Sequence, residues 1–96
     1  MRDENDYHGM DRLELRSHLE RVAKELAVWT HALGRARRDH NYYYVDGYAN
    51  SRAKAVTERK MEAEIAAAEF QREIFDNEAQ VAYWTTIRDL IVELLR

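Results

Sequence analysis

The chain has no cysteine and no proline, and its 96 residues include only three glycines, Gly9, Gly34 and Gly47. Without cysteine there can be no disulfide, no zinc–thiolate site and no thiol nucleophile. Proline breaks helices and glycine weakens them, so their scarcity favours long, uninterrupted helices. These absences predict an all-α protein without disulfides.

Long apolar runs are also missing. No stretch approaches the ~20 apolar residues that a membrane-spanning helix needs. Residues 1–9 are polar and acidic, unlike the basic and apolar start of a signal peptide. We therefore expect a cytoplasmic protein that has no membrane partner.

Motifs that encode a reaction are absent as well. The sequence has no Gly-x-Ser-x-Gly motif and no Gly-rich phosphate loop. Its four histidines do not follow a metal-ligand spacing, and neither predicted helix has the Glu-x-x-His motif of a di-iron bundle. We expect no catalytic residues, no metal and no cofactor, and hence a protein that is not an enzyme.

Charged residues make up 34% of the chain and apolar residues 46%, which is too apolar for a disordered chain. Residues 1–34 have five Lys/Arg and seven Asp/Glu, residues 35–60 have seven and three, and residues 61–96 have three and eight. The net charges of these segments are therefore −2, +4 and −5. A basic segment lies between two acidic ones.

A first helix is predicted to begin near Asp11, because Glu14 follows at the spacing of a capping box. From there apolar residues alternate at intervals of four and three, which is the seam of a coiled-coil or bundle helix. We expect this helix over residues 11–44, with residues 1–10 as a flexible leader. The seam consists of Leu15, Leu19, Val22, Leu26, Trp29, Leu33 and Ala36.

Asp46-Gly47 is a turn signal, so we expect a turn over residues 45–49 and a second helix over residues 50–95, capped by Asn50 or Ser51. The second helix has more than one apolar face. Its seam is Ala53, Val56, Lys60, Ala63, Ala67, Phe70, Ile74, Asn77, Val81, Trp84, Arg88, Ile91 and Leu95. A second stripe is Met61, Ile65, Ala68, Phe75, Ala79 and Ala82, and a late third stripe is Tyr83, Ile87, Leu90 and Leu94.

Two such helices predict a single domain over residues 11–96, folded as a long, coiled-coil-like antiparallel hairpin. On these bounds the second helix is longer than the first by about 20 Å, at a rise of about 1.5 Å per residue. We expect a second copy to cover the excess, where Ile87, Leu90, Ile91 and Leu94 would otherwise form an apolar patch, so that two hairpins form a homodimeric four-helix bundle. The alternative is a three-helix bundle, in which the second helix breaks near Asp76-Asn77.

The basic segment also contains four tyrosines, and we expect both residue types to gather at the hairpin tip. Tyrosine and arginine are enriched at protein-binding hot spots. The same residues can neutralise phosphates and stack on the bases of a single strand. A third interpretation is that the tyrosines cap the core while the arginines pair with acids. The candidate binding residues are Arg35, Arg37, Arg38, Tyr42, Tyr43, Tyr44, Tyr48, Arg52 and Lys54.

From Leu26 onward the sequence has a helix that ends in RARRDHNYYY, a short turn, the helix SRAKAVTERKMEA and the ending IRDLIVELLR. This layout resembles small helical-hairpin proteins of bacteriophages that infect actinobacteria, which are often encoded among early or recombination genes. The resemblance implies a phage-encoded accessory protein that works inside the host bacterial cell. It implies no mechanism.

We therefore expect a non-enzymatic protein that acts by binding a protein partner, such as a host or phage factor of DNA metabolism. The alternative function is a nucleic-acid-binding module that uses the same Arg/Tyr-rich tip. The net negative charge of the chain opposes broad binding to long duplexes. A further alternative is that the acidic residues 61–96 mimic DNA.

Overall fold

The computed structural model describes residues 7–96, and over these residues the protein consists of two long helices with no strand. Helix α1 comprises Arg12–Ala49 and helix α2 comprises Val56–Leu95. The loop of residues 50–55 returns the chain directly, so α2 packs antiparallel along α1. The hairpin is 64 Å long and 19 Å by 18 Å across. The predicted all-α helical hairpin is confirmed.

Helix α1 begins at the N-cap Asp11, whose side chain accepts a hydrogen bond from the backbone N–H of Glu14 at 2.8 Å. Of the predicted leader, residues 1–6 lie outside the described residues. Tyr7 is buried, and its ring meets the ring of His18 edge to face at a centroid distance of 5.6 Å. Met10 packs against the same core cluster. The leader was predicted to be flexible as far as residue 10, but Tyr7 and Met10 pack against the core at the open end of the hairpin, while His8 and Gly9 between them are exposed.

Helix α1 continues to Ala49, beyond the predicted end near residue 44, so Asp46 and Gly47 lie inside the helix. Asn50 caps it, since its side-chain amide donates to the backbone oxygen and to Oδ1 of Asp46, each at 3.0 Å. A Cβ added to Gly47 would lie only 2.8 Å from the Cβ of Ala66 in α2. The glycine therefore allows a close approach of the two helices instead of forming a turn.

Helix α2 begins at Val56 and not near residue 50. Its N-cap is Ala55, which makes no side-chain capping bond. Ser51, one of the two predicted caps, instead organises the loop: its hydroxyl donates to Glu62 and accepts from the backbone N–H of Ala53. Arg59 Nε closes the loop by donating to the backbone oxygen of Ala53 at 2.7 Å.

The two helices have nearly equal lengths, 38 and 40 residues. The predicted excess of the second helix was therefore wrong, because the first helix is longer than expected and the second begins later. Helix α2 runs without interruption through Asp76 and Asn77, so the break required by the three-helix alternative is absent from it. Ile87 and Ile91 are fully buried within the hairpin and do not need a second copy to cover them.

The core follows the predicted seam of α1, where Leu33 is buried and Leu19 and Leu26 are half-buried. In α2 the predicted seam is buried at Ala63, Ala67, Ile74 and Ile91, and towards the C-terminus Ile87 of the third stripe joins it. This widening fits the drift of a straight helix relative to a 3.5-residue repeat. The second stripe of α2 stays on the surface, and Met61, Ile65 and Phe75 are exposed. The buried residues are Tyr7, Leu15, Val22, Leu33, Ala36, Ala63, Ala67, Ile74, Ile87 and Ile91.

Candidate binding surface

The predicted tip residues are spread along α1 because the helix continues to Ala49. Arg35 lies about 21 Å from the end of α1, at about 1.5 Å per residue. Arg37 pairs with Glu78 of α2, with 3.4 Å between Nη2 and Oε1. Arg52 and Lys54 lie in the loop and are exposed. The structure thus separates the basic residues into a group along α1 and a pair in the loop.

Three of the four tyrosines pack against neighbours. Tyr43 stacks on Phe70 of α2, with ring centroids 4.7 Å apart, and Tyr44 stacks on His40 at 6.2 Å. The guanidinium of Arg59 lies 5.8 Å from the ring centroid of the half-buried Tyr48. Tyr43 and Tyr48 thus contact residues of α2, as expected if the tyrosines cap the core, although Tyr43 is still 43% exposed.

Tyr42 differs from the other three because 64% of its surface is exposed, although its ring edge contacts Tyr43 at a centroid distance of 5.2 Å. Arg35, Arg38, Tyr42 and Val45 follow one another at intervals of three, four and three, so they share one face of α1. All four are exposed. We call these four residues the Arg/Tyr row. The row extends for about 15 Å at 1.5 Å per residue.

Val45 is the member of this row that the sequence-based selection missed, because its apolar side chain was assigned to a turn. The signal was the spacing from Tyr42, which places Val45 on the same helical face once the helix is known to continue. A shallow depression of about 470 Å³ beside the row is lined by Asn41, Tyr42, Val45, Asp46 and Ala49. The row therefore combines two guanidinium groups with an aromatic and an aliphatic side chain.

Charge divides between the two helices. Helix α1 has seven Lys/Arg and five Asp/Glu, a net charge of +2, whereas α2 has four and nine, a net charge of −5. The Arg37–Glu78 pair joins the helices, but both side chains are about half exposed, so it contributes at most about 1 kcal/mol to stability. The Arg/Tyr row is therefore a local basic surface on a protein that is acidic overall.

The two broad sides of the hairpin differ. One groove, of about 440 Å³, is lined by His40, Tyr44, Glu64, Ala68 and Gln71. Arg37 precedes Tyr44 by seven residues and Glu78 follows Gln71 by seven. Since seven residues are about two helical turns, the Arg37–Glu78 ion pair lies on the same side of the hairpin as this groove. We call it the groove side. A second groove, of about 360 Å³, continues it towards the loop and is lined by Tyr44, Val45, Tyr48, Ala49 and Lys60.

A smaller cavity of about 160 Å³ lies at the open end of the hairpin. It is lined by residues of the core and its edge, and the buried indole Nε1 of Trp84 has no hydrogen-bond partner in the structure. The cavity belongs to the packing around Tyr7, whose ring closes this end of the hairpin. Its lining residues are Tyr7, His18, Arg21, Val22, Tyr83 and Trp84.

Within residues 7–96, no group of three or more His, Asp or Glu side chains is placed to hold a metal ion. Over the same residues, neither helix has a stretch long and apolar enough to cross a membrane. No protein-family model, no curated protein and no solved structure matches the chain.

Proposed function

We propose that this chain is a non-enzymatic binding protein and that its Arg/Tyr row contacts a protein partner. The observation that supports the proposal is the exposure of Tyr42 between Arg38 and Val45 on one face of a continuous helix. Tyrosine and arginine dominate protein-binding hot spots, and a helix face with regularly spaced anchors is a common recognition element.

A protein partner fits the row better than a long nucleic acid does. The row has only two cations, while affinity for a duplex depends on neutralising several phosphates. The strongly acidic α2 lies behind it and repels a polyanion. We further propose the accessory role inside a bacterial host that the resemblance to phage hairpin proteins implies, with a factor of DNA metabolism as partner. Binding to a short single strand, with Tyr42 stacked on a base, is the alternative function.

The test compares two triple variants of the full chain. The first changes Arg35, Arg38 and Tyr42 to alanine. The control changes Arg12, Leu13 and Arg16 to alanine, and so removes two arginines and one large exposed side chain from the other end of α1. Because all six side chains are exposed, we expect both variants to keep the helical circular-dichroism signal and the melting temperature of the wild type. Partner affinity should fall at least about tenfold in the first variant alone.

Binding is measured by capture from an actinobacterial lysate, with and without nuclease, and by titration of a fluorescent single-stranded oligonucleotide. We expect a protein that survives nuclease treatment and that the control variant still captures. Equal capture by both variants would place the binding site elsewhere. Oligonucleotide binding that is lost in the first variant, together with nuclease-sensitive capture, would support the nucleic-acid alternative instead.

A further inference from the structure

We infer that two copies of the hairpin associate through the groove side, with both loops at the same end of the dimer and α1 of each copy lying over α2 of its partner. This inference rests on other observations than the partner binding proposed for the Arg/Tyr row, although Arg38 belongs to both surfaces. It rests on the distribution of exposed apolar and charged residues over the two sides of the hairpin, and on the opposite net charges of the two helices.

The groove side has little charge in its middle. On α1 the residues that precede Arg37 at intervals of three and four are Gly34, Thr30, Ala27 and Ala23, and all of them are exposed. On α2 the corresponding neighbours of Glu78 are Phe75, which is 71% exposed, and Ala82. On this side the Arg37–Glu78 pair neutralises its own charges. Nearer the loop, the exposed Glu64 and Lys60 line the two grooves and carry opposite charges.

The opposite side of α2 is strongly acidic. Glu62, Glu69, Glu73 and Asp76 are all exposed there, and they flank the face that Tyr43 and Phe70 occupy. Two copies that met through this side would bring eight carboxylates together. A second copy is therefore accommodated on the groove side and repelled from the other.

Phe75 has a matching hole on the same side. The Arg37–Glu78 and Tyr43–Phe70 contacts place Phe75 level with residues 38–40 of α1. At that level Gly34, Arg37, Arg38 and Asn41 form a four-residue hole of the kind that receives a side chain in coiled coils. Rotation about a two-fold axis parallel to the helices does not shift residues along the helices. Phe75 of each copy is therefore level with the hole of its partner and can enter it.

Gly34 has no evident use within a single hairpin. A Cβ added at this position would meet no atom of the chain within 4 Å, while glycine inside a helix is less favourable than alanine by up to about 1 kcal/mol. Glycine does enlarge the hole on the groove side. An aromatic ring seated there would also lie beside two guanidinium groups, a favourable cation–π arrangement.

Charge selects the orientation of the dimer. Two hairpins can stack through the groove side in two ways. Either α1 lies over the partner's α2, or α1 lies over the partner's α1 and α2 over the partner's α2. The second arrangement opposes two α2 helices of net charge −5, whereas the first opposes −5 and +2. One broad side of the hairpin, 64 Å by 19 Å, presents on the order of 1,000 Å², above the roughly 800 Å² per partner of a standard interface.

The first experiment measures self-association of the full chain by sedimentation equilibrium up to about 200 µM. We expect a dimer whose dissociation constant rises at least about tenfold in Phe75→Ser and in Gly34→Leu. Leucine is a better helix former than glycine, so the second variant should fold at least as well as the wild type. Val28→Ser is the matched control, since Val28 is exposed on α1 away from the groove side, and it should leave the dissociation constant unchanged.

The second experiment gives the orientation. The chain has no cysteine, so Lys54→Cys accepts a single spin label in the loop. Loops at the same end give a label-to-label distance below about 30 Å, since packed helix axes lie 8–10 Å apart. A distance near the 64 Å length of the hairpin would overturn the proposed orientation. A monomer at every concentration, or a dimer insensitive to both Phe75→Ser and Gly34→Leu, would overturn the interface and leave the Arg/Tyr row unaffected.

Discussion

Replacing Ile91 with alanine is expected to lower the free energy of unfolding by about 2–5 kcal/mol, the range for truncating a packed core side chain. Ile91 is 0% exposed, and it lies in the cluster that joins both helix ends through Tyr7, Leu15, Val22 and Ile87. The substitution removes buried apolar surface and leaves a cavity that a two-helix core cannot easily fill. Urea unfolding followed by circular dichroism at one low protein concentration measures the change.

Ile65→Ala is the matched control for this prediction, because it is the same substitution in the same helix at a position that is 74% exposed. Its effect should stay within about 0.5 kcal/mol. If Ile65→Ala lowered the free energy of unfolding as much as Ile91→Ala does, or more, α2 would pack through its second stripe. The helix–helix contact described above would then be wrong.

Replacing Gly47 with valine is expected to destabilise the hairpin by about 1–3 kcal/mol through overpacking. Helix propensity alone favours valine over glycine, so a loss of stability must come from the packing. The cause is the close approach of the helices, since an added Cβ would lie 2.8 Å from the Cβ of Ala66 and 3.2 Å from the Cα of Ala63. Thermal unfolding monitored by circular dichroism provides the measurement.

Ala49→Val controls for the introduction of a β-branched residue near the end of α1. Ala49 is exposed, so this change should cost only about 0.5 kcal/mol of helix propensity. A Gly47→Val protein as stable as the wild type would show that the helices do not approach closely at this level. That result would favour the interpretation of Asp46-Gly47 as a turn.

The seam of α1 could be predicted from the sequence because a 3.5-residue apolar repeat is typical of a helix that packs along another helix. Leu15, Val22, Leu33 and Ala36 are buried where the spacing places them. The end of α1 could not be predicted in the same way. Asp46-Gly47 is equally suited to a turn and to a close helix contact, and only the alanines on the opposite helix distinguish the two.

Two misplaced boundaries explain the wrong prediction about helix lengths. The first helix was predicted to end five residues too early and the second to begin six residues too early, so the second helix seemed too long and in need of cover at Ile87 and Ile91. In the structure α1 and Tyr7 cover those residues, since both belong to one core cluster with Leu15 and Val22. The four-helix dimer thus stays a prediction, and it now rests on the groove side instead of the C-terminal end.

The composition of the candidate site could be predicted, but not its shape. Four tyrosines close together in sequence point in different directions around a helix, and their exposure depends on where α2 lies. Phe70 partly covers Tyr43, and Arg59 lies over Tyr48, while Tyr42 points away from α2 and remains exposed. No property of the tyrosines themselves distinguishes Tyr42 from its neighbours.

Site-specific photocrosslinking tests the binding proposal most directly. Tyr42 is replaced by the photoreactive analogue benzoylphenylalanine, and Leu13, which is 78% exposed at the other end of α1, is replaced in a control chain. Both chains are expressed and irradiated in an actinobacterial host. Partner binding through the Arg/Tyr row predicts a nuclease-resistant protein adduct from position 42 and none from position 13. An adduct from position 13 alone, or no protein adduct from position 42, would contradict it.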